Sequence, residues 1–225
     1  MNVVRNYQKE LDKILTGLEN GEPPKLFLHS CCAPCSSYVL EYLRQYFKIT
    51  VFYYNPNISM EQEYRKRVEE QKRLISAYNE NLDKEISDGR ETTGYLIDIV
   101  EGDYEPEYFY QIAKGLEQCP EGGERCFACY ELRLKKTAEA AAKSGFDYFA
   151  TTLTISPLKN AVKLNEIGEQ LANEYNICWL PSDFKKRNGY KRSIELSQEY
   201  GLYRQDYCGC IYSKMERESV KKDRE

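Results

Sequence analysis

The 225 residues are 41% hydrophobic and 30% charged with a formal charge of −4, the balance of an ordinary globular chain. No apolar run approaches the roughly 20 residues that span a bilayer, and the mixed charges of "MNVVRNYQKELDKIL" do not make a secretory signal, so a cytoplasmic location without a membrane partner is expected. In a reducing compartment nine cysteines exclude a disulfide framework and point to metal or redox chemistry, while the negative charge weighs against a strongly basic nucleic-acid binder but leaves room for a local basic patch.

Residues 5–20 carry Tyr7, Leu11, Ile14, Leu15 and Leu18 at helical spacing, which predicts an N-terminal helix within 1–22, ended by Gly21 and Pro23-Pro24. "KLFLHS" (25–30) reads as a buried strand and "CAPCSSYVLEYLRQY" (32–46) as a helix that tolerates Pro34 only near its first turn. "KITVFYYNPN" (48–57) is a second strand closed by an Asn-Pro turn. "SMEQEYRKRVEEQKRLISAYNE" (59–80) is a charged helix with Ser59 and Gln62 in capping-box positions.

"GYLIDIV" (94–100) predicts a third strand and "EPEYFYQIAKGLE" (105–117) a short helix. The loop "QCPEGGER" leads into "CFACYELRLKKTAEAAAKSG" (126–145), a helix rich in strong helix formers. "FDYFATTLTIS" (146–156) and "ICWLPSDF" (177–184) are the fourth and fifth strands, on either side of the helix "NAVKLNEIGEQLANEYN". "GYKRSIELSQEYG" is helical, followed by "YCGCIYS" and a charged tail over 214–225. Strands alternating with helices imply one α/β domain over 1–225: an open, mostly parallel sheet with helices on both faces. Such sheets bind ligands beyond the carboxyl ends of their strands, so "SCCAPCS", "NPN", "TTLTISP" and "PSDF" share one rim.

The cysteines fall into four groups: Cys31, Cys32 and Cys35; Cys119, Cys126 and Cys129; Cys178; and Cys208 with Cys210. Cys126-x-x-Cys129 at a helix start lets two thiolates face one metal, and the helix N-terminus is expected to lower their pKa values. Together with Cys31 and Cys32 they make four sulfurs and no histidine, which suits zinc or an iron–sulfur cluster. Adjacent cysteines at the lip of a sheet make a poor zinc knuckle, so the cluster is favoured. Cys208-Gly-Cys210 has the spacing of a strained, reducible disulfide or of two metal ligands, and Gly209 permits the turn. Cys178, within "ICWL", reads as core packing; Cys119 either lines the site or is a spare thiol. His29, the only histidine, reads as a satisfied, half-buried ring, with a proton-donor role as the alternative. Most of the twenty tyrosines read as half-buried packing. "YRKR" (64–67) and Lys135-Lys136 read as solvated helix faces. "TTLTISP" (151–157) offers hydroxyls at a strand end, or simply a strand with its turn.

"HSCCAPCS", "RCFACYELRLKKTAEAA", "FATTLTISPLKN" and "GYKRSIELSQEYGLYRQDYCGCIYS", in this order over residues 24–213, resemble the QueH family of cobalamin-independent epoxyqueuosine reductases. The resemblance implies a fold akin to adenine-nucleotide α-hydrolases and PP-loop enzymes, with the cysteine segment in the place of their phosphate loop. It implies reduction of epoxyqueuosine at the wobble position of tRNA with a GUN anticodon, an outside electron donor, and a [4Fe–4S] cluster with an additional iron ion. By motif match, Cys31, Cys32, Cys126 and Cys129 bind the cluster. Cys35 occupies a position that is acidic in some members and is the candidate ligand of the second iron. Cys208 and Cys210 match a C-terminal C-G-C with a redox or metal role. The leaving oxygen needs a proton, for which Asp206, Tyr207 and Asp183 are the candidates on the rim. With the resemblance, "FKKRNGYKR" (Phe184 to Arg192), five positive charges interleaved with two aromatics, reads as an RNA contact. The competing functions are a zinc-stabilised RNA-binding module and a thiol–disulfide oxidoreductase working through Cys208 and Cys210.

Overall fold

Alternating burial along the strands divides the apolar residues between two cores, one on each face of a five-stranded sheet. The computed structural model describes residues 5–18, 21–92 and 94–222; residues 19 and 20 of the expected first helix and 223–225 of the charged tail lie outside these. In chain order the elements are α1 (Tyr7–Leu18), β1 (Lys25–His29), α2 (Ala33–Leu43), β2 (Lys48–Tyr53), α3 (Glu61–Ser87), β3 (Ile97–Glu101), α4 (Pro106–Ala113), α5 (Glu124–Lys143), β4 (Tyr148–Thr151), a 3-10 turn (Thr152–Ile155), α6 (Ala161–Tyr175), β5 (Cys178–Trp179), α7 (Gly189–Glu199) and α8 (Ile211–Lys222). No helix among the described residues is long and apolar enough to cross a membrane.

All strands are parallel, in the order β3-β2-β1-β4-β5. Leu26 and Leu28 of β1, Ile49 and Val51 of β2 and Ala150 of β4 face a core built with α1, α2 and α3. Phe27, Phe52 and Phe149, one residue out of phase, face the opposite core built with α5 and α6. The open α/β sheet with helices on both faces is therefore as expected. The chain winds outward from β1 in one direction through β2 and β3 and in the other through β4 and β5. The carboxyl ends of β1 and β4 thus flank the switch point where open α/β sheets bind ligands.

Several local expectations differ from the structure. Helix α3 starts after Met60, with no side-chain cap, and continues to Ser87. Ser59 is not its capping residue: its hydroxyl accepts the Ile211 N–H at 2.8 Å, which ties the start of α3 to α8. The fourth strand stops at Thr151 because the chain tightens into the 3-10 turn, where the Leu153 N–H caps onto the Thr151 hydroxyl at 3.2 Å. The fifth strand shrinks to Cys178–Trp179, and Cys178 is exposed, not core; the alternation turns Trp179 inward instead. There Trp179 packs on Phe149, its ring 4.9 Å away, and against Gly168 of α6.

Candidate functional site

β1 passes into α2 through three residues only, Ser30 to Cys32, because Pro34 in the first turn has the helical φ already and no N–H to satisfy. Cys31 and Cys32 therefore hang from the carboxyl end of the central strand at the N-terminus of α2. Their sulfurs are 3.8 Å apart, and Cys31 Sγ lies 3.6 Å from Thr152 Oγ1 of the turn after β4. The sulfurs of Cys31, Cys32 and Cys35 all lie within 4.8 Å of one another, and no other group of three such metal-ligating side chains is found among the described residues. With metal–sulfur bonds of about 2.3 Å, a soft ion can bridge sulfurs at this spacing.

The Cys31 thiol is held well below its ordinary pKa, first by hydrogen bonds from the Cys32 and Cys35 thiols; burial opposes this and the nearby Arg133 guanidinium assists. The same coupling pushes Cys32 up to about 12 and raises Cys35. Within the triad the coupling thus makes Cys31 the most acidic thiol.

Cys126 and Cys129 sit one turn apart on α5, both buried, with the Gly122 N–H donating to Cys126 Sγ at 3.2 Å. Their pKa values are raised, Cys129 to about 11, not lowered as the helix start led one to expect: loss of solvent outweighs the helix dipole. They line a cavity of about 20 Å³ together with Cys208 and Cys210, whose sulfurs are 3.4 Å apart as free thiols. Hydrogen bonding to Cys210 holds Cys208 well below its usual value against burial, with Lys159 assisting.

The C-terminal turn is held from α3 and the loop before it. Arg67 Nη1 and Asn57 Nδ2 donate to the Cys208 carbonyl at 3.1 and 3.3 Å, and the Ser59 N–H to the Gly209 carbonyl at 3.1 Å. Arg67 is 2% exposed, paired with Glu63 at 2.7 Å and stacked over Tyr207. The reading of "YRKR" as a solvated face is thereby corrected: Arg67 and Tyr64 are core residues, and Arg65 alone of the two arginines is on the surface.

A second, open cavity of about 370 Å³ is lined by Cys31, Cys32 and Cys35, by Cys208, and by Asp206 and Tyr207 together with Tyr190 and Arg204. Arg133, Lys159 and Cys208 line both cavities, so the two thiol groups share a wall. Of the site residues expected from sequence, Cys31, Cys32, Cys35, Asp206, Tyr207 and Cys208 line the open cavity, and Cys126, Cys129 and Cys210 lie behind that wall. Asp183 lines neither cavity; it pairs with Lys185 at 2.6 Å. Cys119 also lines neither, its carbonyl being taken by Arg125.

Arg133 was not legible as a site residue, although it follows Cys126 and Cys129 by seven and four positions on the same face of α5. It is 3% exposed, donates from Nε to His29 Nε2 at 3.2 Å and from Nη2 to Asn55 Oδ1, and contacts the Cys129 thiol; no carboxylate is among these partners. Since a guanidinium cannot accept, His29 Nε2 carries a lone pair, and Nδ1–H donates to Thr151 Oγ1 at 2.8 Å, although the Tyr54 carbonyl also lies 3.1 Å from Nε2. Burial, then Arg133, lower the His29 pKa to about 3. The ring is fully buried, neutral and satisfied, not half-buried. Lys159, equally missed, pairs with Glu121 at 3.0 Å, and Ser213 also donates to Glu121.

Of the hydroxyls of "TTLTISP", those of Thr151, Thr152 and Thr154 are buried and bonded within the protein, Thr154 to Ser182 at 3.0 Å, while Ser156 lines the open cavity. In "FKKRNGYKR", Lys185 pairs with Asp183, Arg187 with Asp12, Lys191 with Glu195 and Arg192 with Glu41, and Lys186 has no ion pair among the described residues.

A profile of the family described as "Epoxyqueuosine reductase QueH" matches residues 26–216. The chain belongs to the QueH family. A QueH protein of Staphylococcus epidermidis, named epoxyqueuosine reductase, is 46% identical over 213 residues, covering 93% of this chain and 85% of the relative. A Streptococcus pyogenes QueH is 45% identical over 190 residues, covering 84% and 70%. A Thermotoga maritima QueH is 32% identical over 195 residues, covering 85% and 91%. The matched span contains all nine cysteines and every residue lining the two cavities of this QueH chain except Arg217.

Proposed function

We propose that this chain reduces the epoxide of epoxyqueuosine, at the wobble position of tRNA with a GUN anticodon, to the cyclopentene of queuosine. The observation that carries the reading is an open cavity at the switch point of the sheet, lined by three clustered thiols and by Cys208. The reaction takes two electrons and two protons and releases the epoxide oxygen as water.

The residues fit a thiolate-bound iron–sulfur group. The donors are all sulfur, which selects soft metals, and the buried Arg133 lacks a carboxylate counter-charge, which an anionic cluster would provide. Cys31, Cys32, Cys126 and Cys129 would hold a [4Fe–4S] cluster and Cys35 an additional iron, supplying single electrons and Lewis acidity when bound.

The protein's own groups account for the remainder. Burial raises the Tyr207 pKa, so its phenol stays protonated and able to donate to the leaving oxygen, with Asp206 beside it. Cys208 and Cys210 yield two electrons and two protons on forming a disulfide, the number the epoxide consumes. An electron donor outside the chain must then reduce them again. Tyr190, at the edge of the cavity and 37% exposed, can stack on an unpaired base.

Anaerobic purification with iron and sulfide analysis, followed by turnover of tRNA bearing epoxyqueuosine, tests the reading. A colourless protein holding only zinc and giving no queuosine would overturn it. A Cys35→Ala protein with full iron content and full turnover would remove the role given to Cys35. The asymmetric Cys208–Cys210 pair favours one second reading, thiol–disulfide exchange, which predicts activity that survives removal of iron.

A further inference from the structure

We infer that Arg133 is the electrostatic control of the redox centre: a permanent positive charge, built into the wall between the two thiol cavities, that sets how readily the bound group accepts an electron. The inference rests on the proposed iron–sulfur reading and goes beyond it, since Arg133 is not among the proposed ligands.

Three observations carry it. The guanidinium is 3% exposed, so solvent screens its charge little. Its hydrogen-bond partners are a neutral imidazole and an amide oxygen, neither of which cancels that charge, and the Cys129 thiol is a neighbour. It also lines both cavities and faces Cys31, Cys129 and Cys208, which belong to separate groups of sulfurs. Burying a guanidinium without a carboxylate is costly, and the cost is offset when negative charge resides on the surrounding sulfurs. A neighbouring positive charge stabilises the reduced, more negative form of an iron–sulfur group and so raises its potential. His29 and Asn55 fix the guanidinium from two sides, so its charge cannot swing away when the electron arrives.

The test uses four anaerobically reconstituted proteins with measured iron content: wild type, Arg133→Lys, Arg133→Gln and Asn55→Asp. Asn55→Asp gives Arg133 a carboxylate of the same shape as the amide it now meets, at the loss of the bond from Asn55 Nδ2 to the Ser30 carbonyl. The midpoint potential of each is read by spectroelectrochemical titration. Arg133→Gln and Asn55→Asp shift it to more negative values, while Arg133→Lys stays closer to wild type. If Arg133→Gln fails to fold, Asn55→Asp still decides the matter. An iron-loaded Asn55→Asp protein with the wild-type potential overturns this inference alone. A wild-type protein that binds no iron overturns it together with the reading on which it rests.

Discussion

His29 offers a direct test of the buried polar network, because it is the only histidine in the chain. Its ring is fully buried, with Arg133 as the charged neighbour, Cys31 as the titratable one, and Thr151 and Tyr54 as polar partners. The pKa falls from an ordinary 6.5 to about 3. Between these values the unfolded chain holds a proton on His29 and the native protein does not, so stability rises with pH and is lost as pH falls below 6.5. At 1.36 kcal/mol per pH unit, moving from pH 6.5 to 5 costs about 2 kcal/mol from this residue. Urea unfolding of metal-free, reduced protein at both pH values measures the loss, with His29→Gln as reference. The variant is less stable throughout, but its loss between the two pH values is smaller by about 2 kcal/mol. Subtraction removes the contributions of Cys31 and Cys208, which slope the same way. Equal losses in the two proteins would refute the neutral, charge-facing histidine.

Three further outcomes are expected. In Gly209→Ala the residue keeps φ +115°, which costs about 1–3 kcal/mol, and its methyl meets Ile58 at 2.8 Å; a lower Tm and faster alkylation of Cys208 and Cys210 by iodoacetamide follow, and unchanged alkylation would contradict the tight turn. Gly168→Ala puts a methyl 2.3 Å from the Trp179 ring; overpacking of about 1–3 kcal/mol exceeds the roughly 1 kcal/mol gained in helix propensity, and a thermal melt shows a net loss. For tRNA binding, Lys186→Glu weakens affinity and lowers the salt slope by about 1 per charge neutralised, whereas Arg187→Glu acts chiefly by breaking the bridge to Asp12; equal salt slopes for wild type and Lys186→Glu would exclude that contact.

The sheet was legible because its strands announce themselves twice, by apolar runs and by the Gly, Pro and Asn punctuation between them. The place of Cys31 and Cys32 followed from the same pattern, since Pro34 fixes where α2 begins. What sequence could not supply was sign and direction at buried positions. Cys126 and Cys129 look activated from a helix start, yet burial raises both. Arg67 belongs to a run that reads as surface charge, and only the return of the C-terminal turn across α3 buries it. Arg133 and Lys159 were hidden for the same reason: a lone cation has no local signature until the fold removes its solvent. Cys178 fails in the opposite way, because an apolar strand two residues long has one inward position and Trp179 takes it.

The open cavity joins residues far apart along the chain, Cys31 early in it and Cys208 late. During synthesis the first sulfurs therefore emerge long before the turn that shields them. Until Arg67 and Asn57 grip the Cys208 carbonyl, Cys126 and Cys129 lack the Cys208 and Cys210 side of the small cavity they line.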